Sequence, residues 1–170
     1  MDERMFWIDQ PFDGRLAVAR RPRGGVAALE QDIAAWRALG LDVIVSMLEP
    51  REAADLGLQL QPAICRELGI EFISCPVRDH AVPDTPDTQF VLDCVDDVLE
   101  RLHAGKRVAA HCFAGMGRSP LFVASVLVKH GLDSETTWER ITTARGVKVP
   151  QWPEQRQWVV DLEQRLKAGE

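Results

Sequence analysis

One loop constrains this chain more than any other segment: His111-Cys112-Phe113-Ala114-Gly115-Met116-Gly117-Arg118-Ser119, set between a predicted strand and a predicted helix. Arg107 to Ala110 reads as a short buried strand, and Ser119 to Val128 as a helix whose apolar residues nearly surround it. Pro120 fits the first helical turn, where its missing N–H costs nothing. The loop therefore ends at a helix N-terminus.

Free backbone N–H groups and the helix dipole make such an end a seat for a phosphate dianion. Phe113, Ala114, Gly115, Met116 and Gly117 would hold the anion through main chain, with the two glycines relieving backbone angles and letting the chain approach closely. Arg118 adds a planar fork that grips two phosphoryl oxygens at once. The same positive field acts on Cys112, because helix N-termini and cations lower a cysteine pKa to roughly 3.5–7.5 and so favour a thiolate nucleophile. Ser119 can donate a hydrogen bond to that sulfur, and His111 is expected to brace the loop through its ring nitrogens instead of acting as a base.

The rest of the chain supplies alternating elements. Phe6 to Ile8 and Leu16 to Ala19 read as strands around a turn from Pro11 to Gly14, followed by a helix from about Ala27 to Leu39. Asp42 to Met47 reads as a buried strand, with short helices after Pro50 and from about Gln61 to Leu68, and Glu71 to Cys75 is the next strand. A loop carrying Pro76, Pro83 and Pro86 leads to a helix from about Thr88 to His103. Ser134 reads as the cap of a helix reaching about Ala144, and Pro153 opens a last helix to about Lys167. This order predicts one α/β domain over residues 1–170, with a mainly parallel central sheet flanked by helices and Cys112 at the carboxyl end of a strand.

With 170 residues and 46% hydrophobic content, the chain can bury one sizeable core. A net charge of −6 argues against nucleic acid or an anionic membrane surface as the main partner. Met1 to Arg15 holds no apolar stretch of signal-peptide type, so a soluble cytoplasmic protein is expected. Four cysteines at positions 65, 75, 94 and 112 do not read as a disulfide framework; Cys75 and Cys94 are expected in the core, with a reversible bond to Cys112 as the other reading. No cluster has metal-ligand spacing, and no cofactor is implied.

The pattern His-Cys-x-x-Gly-x-x-Arg-Ser resembles the signature of the cysteine-dependent protein tyrosine and dual-specificity phosphatases. The layout of nearly the whole chain looks like a compact dual-specificity phosphatase of the kinase-associated type. The resemblance implies hydrolysis of phosphomonoesters on proteins, at phosphotyrosine and at phosphoserine or phosphothreonine, through a phosphocysteine.

Such a reaction needs an acid for the leaving oxygen. Asp79, just after a predicted strand, matches the family's general-acid loop, although Arg78 and Ala81 stand where many members have proline and glycine. Asp84 and Asp87 share that loop as competitors, and any of the three could be an ordinary turn carboxylate. Gln155 resembles the glutamine that positions water for hydrolysis, or else is a surface residue of a helix's first turn.

Asp79 precedes Cys112, unlike the order in low-molecular-weight phosphatases. Phe113, Ala114 and Met116 lack the lysines of inositide phosphatase loops, so a phosphoprotein is the favoured substrate over a phospholipid or another small phosphate ester. The absence of tyrosine suggests a shallow pocket. A monomer is expected. The competing class is a module that binds phosphoproteins without turnover. His103 and His130 are assigned no function, and Trp138, Trp152 and Trp158 are read as packing for the C-terminal helices.

Overall fold

The computed structural model describes residues 4–9 and 12–169. Strands β1 (Met5–Trp7), β2 (Arg15–Ala19), β3 (Val43–Ser46), β4 (Glu71–Ser74) and β5 (Arg107–His111) form one sheet in the order β1-β2-β5-β3-β4. β2, β5, β3 and β4 run parallel, and only β1 is antiparallel to its neighbour. The predicted first strand shifts by one residue, to Met5–Trp7, and Pro11 of the predicted turn lies outside the described residues.

β5 is central because its inner residues, Val108, Ala109 and Ala110, are small or β-branched and can be covered on both faces. Alternate side chains point to opposite sides of a strand. Val108 and Ala110 accordingly join the larger core, while Ala109 joins the smaller one. The smaller core is closed by α1 (Val26–Ala38) and α3 (Gln61–Glu67), through Leu29, Ile33, Trp36 and Ile64. The larger is closed by α4 (Thr88–His103), α5 (Arg118–His130), α6 (Ser134–Arg145) and α7 (Pro153–Lys167). A short α2 (Pro50–Asp55) follows β3.

α5 is buried at every residue from Arg118 to Val128, which is why its sequence lacks a polar face. It lies against β2 and β5 on one side and α4, α6 and α7 on the others. A helix clamped in this way fixes the loop at its N-terminus. Trp138 of α6 is fully buried, as packing requires.

The cap of α6 differs from the sequence reading. Asp133, not Ser134, occupies the capping position: its carboxylate accepts the Thr136 N–H at 2.8 Å and the Thr136 hydroxyl at 2.8 Å. Ser134 is the first helical residue, and its own N–H donates to Glu163. Both residue types cap well, but a carboxylate also gains from the positive end of the helix.

Candidate active site

The loop from Cys112 to Gly117 joins β5 to α5. Cys112 is buried, with Sγ 3.2 Å from the Ser119 hydroxyl. Gly115 sits at φ 70°, in the left-handed region, where a side chain would be strained and its Cβ would come 3.0 Å from the Ala19 carbonyl. Gly117 serves a different need, because a Cβ there would meet the Gln155 amide at 2.8 Å.

Arg118 is 1% exposed, so its orientation is set by neighbours and not by solvent. Its Nη1 and Nη2 donate to the two oxygens of Glu52 at 2.8 and 2.9 Å, and Nη1 also donates to the Val77 carbonyl at 3.0 Å. Nη2 lies 3.0 Å from the Asp79 carboxylate. Burial pulls the Arg118 pKa down, but the hydrogen bonds to Glu52 and the charges of Cys112, Glu52 and Asp79 outweigh it and leave the pKa raised. For Glu52, burial pushes the carboxyl up; hydrogen bonds and charge from Arg118 overcome this and hold it below the ordinary value. Glu52 had no signature in the sequence beyond its place just past a parallel strand, where such sheets build their sites.

His111 is fully enclosed. Gln61 Nε2 lies 3.0 Å from His111 Nε2, and His111 Nδ1 lies 3.1 Å from the Cys112 carbonyl. An amide nitrogen only donates, so Nε2 is the acceptor and Nδ1 carries the proton that braces the loop. Burial lowers the His111 pKa to about 4, reinforced by the charges of Arg118 and Arg21 against the raising effect of the Cys112 carbonyl. The imidazole is therefore neutral at physiological pH.

A stability consequence follows. The unfolded histidine titrates near 6.5. With a folded pKa of about 4, the unfolded state binds more protons between these values, so this contribution is full above pH 6.5 and is lost as pH falls toward 4. Urea unfolding from pH 7 to 4 should show stability dropping by a few kcal/mol across that window, with the His111 ring signals not titrating until about pH 4.

The structure brings Asp79 to the loop and leaves Asp84 and Asp87 away from it. A cleft of about 160 Å³ is bounded by Asp79, His80, Cys112, Arg118, Gln151 and Gln155, with the loop itself as its floor. Asp84 instead precedes a short 3-10 turn, Thr85–Asp87, where its carbonyl accepts from Thr88 and Asp87. The Asp79 side chain is 48% exposed and also lies 3.4 Å from His80 Nε2. His80 adopts φ 61°, an uncommon backbone for a residue with a Cβ, and its Nδ1 accepts the Trp152 indole N–H at 3.0 Å.

Trp152 thus does more than pack α7, because its indole fixes the residue next to Asp79. Gln155 is buried, not a surface residue. Its Nε2 donates to the Ala81 carbonyl at 3.3 Å and its Oε1 accepts the Trp152 N–H at 3.2 Å, which ties the Asp79 loop to the start of α7. Arg145 was also invisible in the sequence, where it reads as a basic residue closing α6. It is buried under the loop and donates to the Gly115 carbonyl at 2.8 Å.

The remaining cysteines sit in the core. Cys75 and Cys94 are hydrogen-bonded to each other, and that bond with burial pushes the Cys75 thiol up. Burial alone pushes Cys65 up to about 12.

A parallel-sheet α/β domain, with a cysteine and an arginine bracketing a loop at a helix N-terminus, defines the class of cysteine-dependent phosphatases. A family model described as "Polymorphic toxin system, DSP-PTPase phosphatase" matches residues 18–132, and the chain belongs to that family. Protein tyrosine phosphatase domain-containing protein 1 of Mus musculus is 31% identical over 68% of this chain and 16% of its own length. Dual specificity protein phosphatase 1 of Arabidopsis thaliana is 30% identical over 59% of this chain and 50% of its own. The chain spans less than a fifth of the length of the animal relatives.

Among solved structures, kinase associated phosphatase superposes with a TM-score of 0.85 at 17% identity, covering 96% of both chains. Tk-PTP in its active form gives 0.78 at 25% identity, covering 97% of this chain and 99% of that one. PTPMT1 in complex with PI(5)P gives 0.74 at 19% identity, covering 96% and 98%.

Proposed function

We propose that the protein hydrolyses phosphomonoesters on phosphoproteins through a phosphocysteine at Cys112. The observation that carries this reading is the meeting of three groups at one cleft: Cys112 Sγ beside the Ser119 hydroxyl, the Arg118 guanidinium, and the Asp79 carboxylate within 3.0 Å of that guanidinium. Each corresponds to a separate need of the reaction.

A phosphoryl dianion enters the loop, where backbone N–H groups and the α5 N-terminus attract it. It competes with Asp79 for Arg118 Nη2, and the half-exposed Asp79 is the partner that moves, since Glu52 holds the guanidinium from behind. The Cys112 thiolate attacks phosphorus, the S–P bond forms and the P–O bond breaks. Asp79, which takes up a proton from solvent once the dianion displaces it from Arg118, passes that proton to the leaving oxygen. In the second half, Asp79 takes a proton from water positioned beside Gln155, the new O–P bond forms, and the sulfur leaves as a thiolate steadied by the Ser119 hydroxyl.

Asp79→Asn tests this sequence of steps. It should cost about 10²–10⁴-fold in kcat/KM, which reports formation of the phosphocysteine, on a phosphopeptide or alkyl phosphate, whose leaving oxygen needs the proton, and much less on an aryl phosphate with an acidic phenol. Equal losses on both substrates would make Asp79 structural, and no phosphate release by the wild type from any substrate would defeat the enzymatic reading.

A phospholipid phosphate ester is the second reading. It is supported by the likeness to PTPMT1, whose solved complex holds PI(5)P. Phosphate release from inositide vesicles, with none from phosphopeptides, would favour it.

A further inference from the structure

The chain carries a net charge of −6, yet five arginines, Arg4, Arg20, Arg21, Arg23 and Arg145, line one groove of about 1030 Å³ against a single carboxylate, Asp32. Asp32 is already committed: Arg23 holds it at 2.7 Å and Arg4 at 3.6 Å. Among the described residues, none of Arg20, Arg21 and Arg145 is ion-paired with a carboxylate. They lean on aromatic faces instead. Arg21 lies 5.1 Å from the Phe113 ring centroid, and Arg20 and Arg145 lie 5.9 and 4.1 Å from that of Phe6.

Stacking of this kind stabilises a guanidinium without consuming its edge N–H groups; Arg145 spends its own on the loop, while Arg21 gives Nη1 to the Pro22 carbonyl. The cluster also carries internal repulsion. Burial and then the charge of Arg20 pull the Arg145 pKa down. Like charges gathered in this way, in a chain rich in acidic residues, are relieved by an anion arriving from outside.

The groove adjoins the Cys112 cleft, since Phe113, Ala114 and Met116 line both. A substrate whose phosphate sits in the loop could reach the groove by passing over the exposed Phe113. Beside the arginines the groove is lined by exposed apolar residues at the end of α1, Ala35, Ala38 and Leu39. An extended peptide meets both features, with carbon chains against the apolar residues and anionic ends on the arginines. A membrane surface fits less well, because the chain as a whole is acidic.

We propose that this groove is a second anchoring site for the substrate, taking anionic side chains, carboxylate or phosphoryl, that flank the phosphorylated residue of a protein. The inference rests on the phosphoprotein reading above and narrows it to acidic or multiply phosphorylated segments. Arg145 belongs to the loop's own support, so Arg20 and Arg21 are the residues to substitute.

The test compares phosphopeptides that share a central phosphoresidue and differ only in flanks: glutamine, glutamate, or a second phosphoresidue. The wild type should turn over the glutamate and doubly phosphorylated peptides with kcat/KM about 10- to 100-fold above the glutamine peptide, chiefly through KM. In Arg20→Ala/Arg21→Ala the difference should shrink to within about 2-fold, each peptide rate being taken relative to hydrolysis of a small aryl phosphate by the same protein. The ranking of the two anionic peptides separates a carboxylate site from a phosphoryl site.

Equal kcat/KM on all three peptides, or a preference that survives the double substitution, would overturn the proposal. So would peptide indifference combined with sedimentation on vesicles containing a bisphosphorylated inositide. Binding to the Cys112→Ser protein, with and without the two arginines, reads the groove independently of turnover. A failure of catalysis is thereby distinguished from a failure of the groove.

Discussion

Cys112→Ser is expected to release no phosphate above the uncatalysed rate while binding phosphopeptide as tightly as the wild type. The side chain is 3% exposed and the substitution nearly isosteric, so the loop is retained and the new hydroxyl can still meet Ser119. A serine hydroxyl is a weak nucleophile without an adjacent base. No base is offered to it: His111 has its Nε2 occupied by Gln61 and its Nδ1 directed at the Cys112 carbonyl. Phosphate release and peptide binding measured on the same preparation check the result. Retained turnover would mean another nucleophile, and loss of both would give Cys112 a structural part in shaping the loop.

The second large effect is expected from Glu52→Gln, which keeps the shape of the side chain and removes its charge. Arg118 is then left buried with the Val77 and Met47 carbonyls and the half-exposed Asp79. Breaking a buried pair by neutralising one member costs about 3–5 kcal/mol, and because Glu52 is 21% exposed the lower end, about 3 kcal/mol, applies. The change also has a pH signature. The lowered folded pKa of Glu52 means that its contribution is present above the ordinary carboxyl range and disappears as pH falls through that lower value. Wild type should therefore lose more stability in this acid range than Glu52→Gln does, below the window set by His111. Urea unfolding of the two proteins at matched pH tests this, and stabilities within about 0.5 kcal/mol of each other would show the pair to be worth no more than a surface one. Activity should fall as well, through KM, since the guanidinium is no longer held for a phosphate.

The sequence made legible those parts of the molecule that depend on neighbours along the chain. The loop from His111 to Ser119 is contiguous, and its strand and helix are marked by runs of apolar residues, so nucleophile, arginine and supporting serine could be named together. Asp79 followed from the need for an acid after a strand, and the fold then separated it from Asp84 and Asp87 by placing it alone at the cleft. Groups that act across the fold stayed hidden. Glu52 lies 66 residues from Arg118, Gln61 lies 50 from His111, and Arg145 lies 30 from Gly115, and nothing local in those segments announces the pairing.

Trp152 was misread for a related reason. An indole before a helix looks like packing until the strained backbone at His80 turns its ring toward it. The Arg groove also escaped, because its members come from β1's start, the segment after β2 and the end of α6, each unremarkable by itself. The exchange of Ser134 for Asp133 as cap is a competition between adjacent residues of similar capping strength, which composition alone does not decide.

The central claim is a covalent phosphoryl group on Cys112. Rapid acid quenching of wild type during turnover of a phosphopeptide, followed by mass spectrometry of the proteolysed protein, should place one phosphoryl group on the peptide containing Cys112. Asp79→Asn should raise its occupancy on substrates with good leaving groups, since hydrolysis of the intermediate then lacks its base. Turnover with no phosphoryl group on that peptide, or with the group on another residue, would contradict the account.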